Sequence, residues 1–393
     1  MDIEKIVSEL MEELNLKAAH NDDEMYDIMK DAIGEDRTMM YLRKMDGLIG
    51  DKRFYDAKYE EPRAGYAYSG IYDGEFYPVL ASWLKKNETK FGGEVLDVGC
   101  DCGIITCLMA RMFPSSHFTA VDRSRNAIAA AEKLAERLNV TNVDFLRKDV
   151  RDLKKDQLFD TVCSFRTAQE NRKDYLFNIF APLPELFQSY QRISAPYAEK
   201  LAAHVRPNGY FLSVERMNVD PMFYNWLRNL NDNGCVMINS SYEELTCNEL
   251  DTQSRFLAFA STKANPMDEP TLMKYWLRAL DIRTNGVSEY DGYQADLMLD
   301  SSKGDLIEGY YIYDPKSKEN IPVAKCAVYD CRSWTGVLLF YHADMRMRNL
   351  KIGSTDEKDL VMEALKDLVK QYKSEGYTAR PFNVSEDGSE KMF

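Results

Sequence analysis

From Glu94 onward, short apolar runs alternate with segments of helical period, and a glycine-bearing turn closes the first run. EVLDVG reads as a strand, Ile104 to Phe113 as a helix and HFTAVD as a second strand. Ser124 to Leu138 reads as a helix with Ile128, Ala131, Leu134, Ala135 and Leu138 on one side. VDFLRKD and FDTVCSF follow as third and fourth strands, a helix ends near His204, and GYFLSVE comes after the turn RPNG as a fifth. Strands separated by helices cannot pair as tight hairpins. Each connection crosses the sheet with right-handed sense, and the strands run parallel. The expected fold class is α/β, a doubly wound sheet of about seven strands, with CVMINSSYEEL and RFLAFAST completing one edge.

The flanks differ in character. Ile3, Ile6, Val7, Leu10, Met11 and Leu14 recur at helical spacing, and Asn21 to Ile33 continues it, so residues 1–90 begin as an N-terminal helical cap. Tyr55, Tyr59, Tyr66, Tyr68, Tyr72 and Tyr77 lie among glycines and charges without a clean period, as in an ordered aromatic loop. Such a loop is either a packed connection or a lid over a ligand. Lys263 to Pro270, KANPMDEP, holds two prolines and no periodicity, which sets a boundary between a central domain, 91–264, and a C-terminal α+β accessory domain, 265–393. The accessory part reads as a helix near Leu272 to Ile282, then strands around Leu306 to Tyr313, Ala324 to Tyr329 and Gly336 to His342. A long helix follows, opened by a capping box at Ser354 to Glu357 and stopped by Gly376. Its expected apolar face is Leu360, Val361, Ala364, Leu365, Leu368, Val369 and Tyr372. MRMRNLK, Met345 to Lys351, reads as the wet face of a strand.

Composition removes several functions. With 393 residues and 45% hydrophobic content the chain can bury a core, and 50 Lys+Arg against 64 Asp+Glu give a net charge of −14. That charge repels nucleic acid and an anionic membrane surface, so neither is an expected partner. No apolar run approaches the ~18 to 20 residues of a membrane span, and MDIEKIVSELMEELNL is acidic where a signal peptide is basic. A cytoplasmic location is expected, with the eight cysteines as reduced thiols. No metal is expected. Cys100-Asp101-Cys102 lacks zinc-knuckle spacing, and His20, His117, His204 and His342 are scattered.

The chemistry concentrates where the first strand ends, at Asp97-Val98-Gly99-Cys100-Asp101-Cys102-Gly103. Glycine lets the backbone turn sharply and approach a ligand, and the next helix points its positive N-terminal end into the crevice. Asp122, ending FTAVD, offers a carboxylate to a pair of ribose hydroxyls. A nicotinamide site wants Gly-x-Gly-x-x-Gly, but Asp101 and Ile104 occupy its second and third glycine positions. The string resembles instead the first motif of the class I S-adenosylmethionine-dependent methyltransferases, an acid followed after one residue by Gly-x-Gly-x-Gly, with Asp101 in place of the middle glycine. The resemblance covers Gly93 to about Thr262 and implies a Rossmann-like sheet with S-adenosylmethionine as cofactor. It implies that Asp97, Gly99, Cys100 and Gly103 form the cofactor turn, and that Asp122 binds the ribose with Arg123 beside it. It further implies that Asp149 faces the adenine amino group, with Val150 beside the ring and Phe165 at the end of the fourth strand. The plainer reading of Asp149 and Asp152 is that they cap the next segment.

The acceptor is less legible. CSFRTAQENRKDY lacks the Asn-Pro-Pro-aromatic string with which amino-methylating relatives of DNA and protein glutamine hold a planar nitrogen. Arg166, Gln169, Glu170 and Arg172 are candidates for the acceptor mouth, Arg166 binding a carboxylate and Glu170 drawing a proton, or else they form a solvated loop. The aromatic, proline-interrupted run from Tyr175 to Tyr197 reads as an apolar substrate wall, a core helix or an oligomer contact. The resemblance implies an enzyme that methylates a small molecule, a specialised metabolite being one such class. Two other functions stand beside it: methylation of a peptide or protein held by the C-terminal domain, and a non-catalytic binding or scaffolding module. A homodimer is a further expectation.

Overall fold

The computed structural model describes residues 3–51, 53–171, 183–217, 221–268, 271–272, 288–291, 304–317, 321–331, 336–343, 347–384 and 390–392. The chain divides into two compact units. One comprises Met1–Arg172, Ser194–Asn218 and Asn229–Pro266, the other Lys173–Ile193, Val219–Arg228 and Met267–Phe393.

The first unit opens with helices α1 (Ile3–Leu14), α2 (Asp22–Ile33), α3 (Glu35–Asp46), α4 (Phe54–Lys58), α5 (Pro62–Asp73) and α6 (Phe76–Lys86). Asn21 caps α2 by accepting from the Glu24 N–H at 2.9 Å. The expected tyrosine loop is therefore helical: Tyr55 lies in α4, Tyr66, Tyr68 and Tyr72 in α5, and Tyr77 in α6. The reason its period was hidden is that α5 is enclosed on most sides. Ala64, Gly65, Ala67, Tyr68, Ser69, Gly70 and Ile71 are all buried, so no single polar stripe alternates with an apolar one. Gly65 and Gly70 let Tyr59 and Leu16 press against the helix, leaving no room there for a Cβ.

The sheet follows, with β1 (Gly93–Val98), α7 (Ile104–Met112), β2 (Ser116–Asp122), α8 (Arg125–Arg137), β3 (Val143–Arg147), β4 (Phe159–Phe165), α9 (Leu183–Ala203) and β5 (Val205–Glu215). After α10 (Pro221–Asp232) come β6 (Cys235–Met237), β7 (Glu243–Glu249) and β8 (Thr252–Lys263). Strand order is β3-β2-β1-β4-β5-β8-β6, parallel from β3 to β5, with β8 antiparallel to β5. CVMINSSYEEL is thus two short strands, and both pair with β8: β6 along its C-terminal end, β7 along its N-terminal half. This Rossmann-like sheet reverses its winding between β1 and β4, which opens a crevice at their carboxyl ends. Its core joins the helical cap to the sheet, Leu10, Leu80 and Trp83 packing in one cluster with Leu108, Phe118 and Leu134.

In the second unit, β9 (Ser288–Asp291), β10 (Asp305–Tyr313), β11 (Ala324–Cys331), β12 (Gly336–Ala343), β13 (Met347–Ser354), β14 (Thr378–Val384) and β15 (Glu390–Met392) form an antiparallel sheet ordered β15-β14-β10-β11-β12-β13-β9. Helix α11 (Lys358–Ser374) packs on it through Val361, Leu365 and Val369. Ser354 ends β13 and α11 starts at Lys358, after a short turn at Thr355–Glu357. One residue of its expected face is corrected here. Leu360 is 53% exposed, one step off the buried stripe. The expected helix from Leu272 to Ile282 lies, beyond its first residue, outside the described residues.

Candidate active site

Backbone geometry marks the turn after β1. Gly99, Asp101 and Gly103 all take positive φ, at 75°, 48° and 78°. The N–H groups of Gly99 and Cys100 both donate to the Val121 carbonyl, at 2.8 and 3.2 Å, which ties the turn to the end of β2. A Cβ at Gly99 would stand 2.6 Å from Thr167 Cγ2, in the segment leaving β4. The turn thus sits at the winding reversal, against both β2 and β4. Cys100 is buried with Ala120 and Ile128, and burial pushes its thiol well above the ordinary value, so it packs rather than reacts. Among the described residues no group of three His, Cys, Asp or Glu is arranged to hold a metal.

Two carboxyls flank the turn. Asp97, 2% exposed, accepts from Thr106 Oγ1 at 2.6 Å, and burial pushes it up to about 6. Asp122 accepts from the Ser124 N–H at 2.7 Å through Oδ1 and from the Asp101 N–H at 3.2 Å through Oδ2. Burial, and then the neighbouring Asp101, push it up to about 6. Arg123 beside it is exposed. Asp149 accepts from the backbone and guanidinium of Arg151, which holds it below the usual carboxylate value, so it caps its own turn. Val150 and Phe165 are buried, at 3% and 6% exposure.

Helix α4 and the residue after it reach the loops that follow β1, β2 and β4. Asp56 accepts from Ser124 Oγ at 2.7 Å and from the Asn126 N–H at 3.3 Å, both at the start of α8. Tyr55 donates to Glu170 at 2.8 Å, beyond β4. Lys58 Nζ lies 3.2 Å from Asp101 Oδ2, and Tyr59, just past the helix, donates to the same oxygen at 2.6 Å. Sequence reasoning did not single out Asp56, Lys58 or the Tyr59 contact. The one signal was Asp101 itself, a side chain where glycine is usual.

On the acceptor side Arg166, at φ 61°, is held by an ion pair with Asp73 and by Glu249 at 3.3 Å, and lies over the Phe76 and Phe256 rings. Burial alone would lower its guanidinium, but Asp73 and Glu249 hold it above its ordinary value. Gln169 donates to the Arg216 carbonyl, and Arg172 lies outside the described residues. Glu215, at the end of β5 and 1% exposed, was also not anticipated. It accepts from Ser164 Oγ at 2.8 Å and from the Ala168 N–H at 3.0 Å, while Tyr197 donates to Thr167 Oγ1 at 2.7 Å. This buried network fixes the turn that meets Gly99.

Burial pushes Glu215 up to about 8 from 4.5 despite those donors. Between these values the folded protein keeps a proton that the unfolded chain releases, so the stability is fully present below 4.5 and is lost as pH rises to about 8. Glu215→Gln removes this titration and imitates the neutral acid. Its melting temperature is expected to exceed that of the parent by several degrees at pH 9 and to converge on it toward pH 5. A difference constant across pH would show that Glu215 does not titrate in this range.

A family model described as "Methyltransferase domain" matches residues 90–267, and one described as "Protein-L-isoaspartate(D-aspartate) O-methyltransferase" matches residues 7–152. A malonyl-acyl-carrier-protein O-methyltransferase of Bacillus cereus is 36% identical over 107 residues, 26% of this chain and 39% of the relative. An (S)-tetrahydroprotoberberine N-methyltransferase of Eschscholzia californica is 28% identical over 95 residues, 24% of this chain and 27% of the relative. The chain thus spans well under half the length of these curated relatives. Among solved structures, the magnesium protoporphyrin IX methyltransferase of Synechocystis PCC 6803 with bound S-adenosylmethionine aligns at a TM-score of 0.36 and 16% identity, over 58% of this chain and 98% of that one.

Proposed function

We propose that the chain, whose residues 90–267 match a family model described as a methyltransferase domain, transfers methyl from S-adenosylmethionine to a small molecule. The observation that carries the reading is the positive-φ turn Gly99-Asp101-Gly103 joined to the half-buried carboxylate of Asp122 across the ends of β1 and β2. The residues fit the cofactor. Asp122 accepts from the backbone N–H groups of Ser124 and Asp101, one on each oxygen, yet each carboxylate oxygen can accept more than one bond. Two ribose hydroxyls would complete it and favour its charged form. Asp97, Gly99, Cys100 and Gly103 would shape the turn under the cofactor, with Arg123 beside the ribose and Asp149, Val150 and Phe165 toward the adenine.

When bound, the cofactor supplies a methyl group on a sulfonium. The protein's part is to align the acceptor atom with that methyl, which positioning achieves without an obligatory base. Arg166 would bind an acceptor carboxylate by exchanging it for Asp73 or Glu249, and Glu170 would draw a proton. The relatives include a malonyl-acyl-carrier-protein O-methyltransferase and an (S)-tetrahydroprotoberberine N-methyltransferase, both consistent with a small acceptor group. A peptide carboxylate is the second reading, favoured by the match of residues 7–152 to an isoaspartate methyltransferase model. Acceptor choice or homodimerisation is the proposed part of the C-terminal unit. No described helix is long and apolar enough to cross a membrane.

Incubation with methyl-labelled S-adenosylmethionine and a panel of small carboxylic acids, amines and isoaspartyl peptides tests the reading. Label in a small acceptor supports it, label only in peptide supports the second, and absence of S-adenosylhomocysteine binding by calorimetry returns the chain to a binding module without this cofactor. The affinity for S-adenosylhomocysteine is further expected to fall as pH drops through about 6, where Asp122 takes up a proton, approaching roughly tenfold per unit below it. Calorimetry between pH 5 and 8 measures this, and an affinity that stays flat would remove Asp122 from the ribose.

A further inference from the structure

We infer that Arg166 and Arg216 together form a seat for one carboxylate of the methyl acceptor, and that Glu249 fills this seat until the acceptor displaces it. The inference rests on the methyl-transfer reading above and deepens it, since it adds Arg216 as a specificity-determining residue and a carboxylate-bearing compound as the acceptor class.

Position comes first. Arg166 is the first residue after β4 and Arg216 the first after β5, two neighbouring parallel strands whose register sets Phe165 beside Val214. Both therefore stand at the carboxyl ends of the sheet, where doubly wound folds bind their ligands. Arg166 also precedes Thr167, whose side chain meets Gly99 in the glycine turn. The two guanidinium carbons lie 5.6 and 5.5 Å from the centroid of one ring, Phe256. An aromatic ring there favours planar cations and keeps water from them.

What the two arginines converge on is a single carboxylate oxygen. Glu249 Oε1 lies 3.3 Å from Arg166 Nη2 and also accepts from Arg216 Nη2, while Ser254 Oγ donates to Oε2. Two forked cations and a hydroxyl around one carboxylate make a receptor for that group. Among the described residues Asp73 also pairs with Arg166, whereas Glu249 is the one acidic partner of Arg216. With Glu249 withdrawn, one positive charge is left unmatched, so the seat calls for a monoanion. The Glu249 side chain is 7% exposed and that of Arg216 46%, so the seat opens to solvent beside Arg216.

The element that carries Glu249 suits a displaceable occupant. Strand β8 pairs with β5 from Leu257 to Thr262, whereas Thr252 to Phe256 pair with β7, so the β7–β8 hairpin runs on past the end of β5. Its turn places Leu250 at φ 55°, a left-handed conformation that is unfavourable for a bulky side chain. Strain of this kind persists where the surroundings hold it, and Leu250 packs against the apolar cluster of the helical cap. It sits one residue from the occupant, so displacing Glu249 also relieves the turn.

The competing account is a plain brace, in which Glu249 only ties the hairpin to the strand ends. The two accounts differ in sign, because removing a brace weakens the protein for every ligand alike, whereas emptying a seat strengthens carboxylates. Melting curves of the protein saturated with S-adenosylhomocysteine would be recorded against acetate, which matches the group that Glu249→Ala removes, and against uncharged acetamide, at constant ionic strength. For Glu249→Ala acetate is expected to raise the melting temperature with a half-saturation roughly tenfold or more below that of the parent, and acetamide to have no effect. Adding Arg216→Met to the same variant should abolish the acetate effect. Glu249→Gln, which keeps the shape without the charge, should fall between parent and alanine variant and decides the matter if the latter is poorly folded. An acetate effect equal in the parent and all variants would overturn the seat. Labelled methyl transfer to a panel of acids, each beside its amide, tests the acceptor role. For the acids that are methylated, Glu249→Ala is expected to lower KM and Arg216→Met to raise it, each by roughly tenfold, with kcat within about twofold of the parent. A panel in which no carboxylate-bearing compound is methylated, or a KM that neither variant moves, would overturn the acceptor assignment while leaving cofactor binding intact. Failure of the parent to bind S-adenosylhomocysteine at all would instead overturn the methyl-transfer reading, and the acceptor assignment with it.

Discussion

Replacing Asp122 by alanine is expected to weaken S-adenosylhomocysteine binding by about 1.5 to 3 kcal/mol, roughly tenfold to somewhat over a hundredfold. The carboxylate is largely enclosed, so each bond it accepts forms in a medium of low dielectric, where a charged acceptor is worth more than in water. Part of the loss comes from the protein itself. The N–H groups of Ser124 and Asp101 both donate to this side chain, and its removal loosens the turn that the cofactor lies against. Asp122→Asn keeps the shape and one acceptor oxygen, so an intermediate loss is expected. Calorimetry on the parent and both variants measures the series. An alanine variant that binds as tightly as the parent would mean that the ribose is held elsewhere.

The second large effect concerns folding. Gly103→Ala is expected to destabilise the protein by about 2 to 4 kcal/mol, combining a left-handed backbone penalty of about 1 kcal/mol with overpacking. The glycine takes φ 78° at the start of α7, and a Cβ there would stand 2.8 Å from the Phe145 ring and 2.9 Å from Ala131 Cβ. Phe145 belongs to β3 and Ala131 to α8, so relief on one side tightens the other. Gly50 provides the control. Its φ is 79°, yet a Cβ there meets nothing within 4 Å. Gly50→Ala should therefore show the backbone penalty alone, and the difference between the two variants in chemical denaturation isolates the packing contribution. Equal losses would show that α8 and β3 give way without cost.

Both of these residues were legible before any fold was known, because what marks them is local. A strand that ends in Asp-x-Gly and a second that ends in Asp122 are read from period and turn chemistry within a few neighbours, and a parallel sheet with its ligand at the strand ends follows from the alternation of elements. The same local reasoning failed where burial surrounds an element. Helix α5 lost its stripe because it is enclosed on most sides, and CVMINSSYEEL was read as one strand because nothing within it shows that two separate strands pair with different parts of β8.

Short-range sterics and apolar periodicity suffice for the turn, its two flanking acids and the succession of strands and helices along the chain, and these were legible in the residues alone. Only the tertiary structure decided what each charged side chain meets. Lys58 and Tyr59 reach Asp101 from more than forty positions away, Arg166 is matched to Asp73 and Glu249, and Glu215 closes under the turn that bears Thr167. Such partners are set by how the chain folds back on itself, and burial then fixes their charge, because a carboxyl or ammonium removed from water takes its state from the few groups left around it.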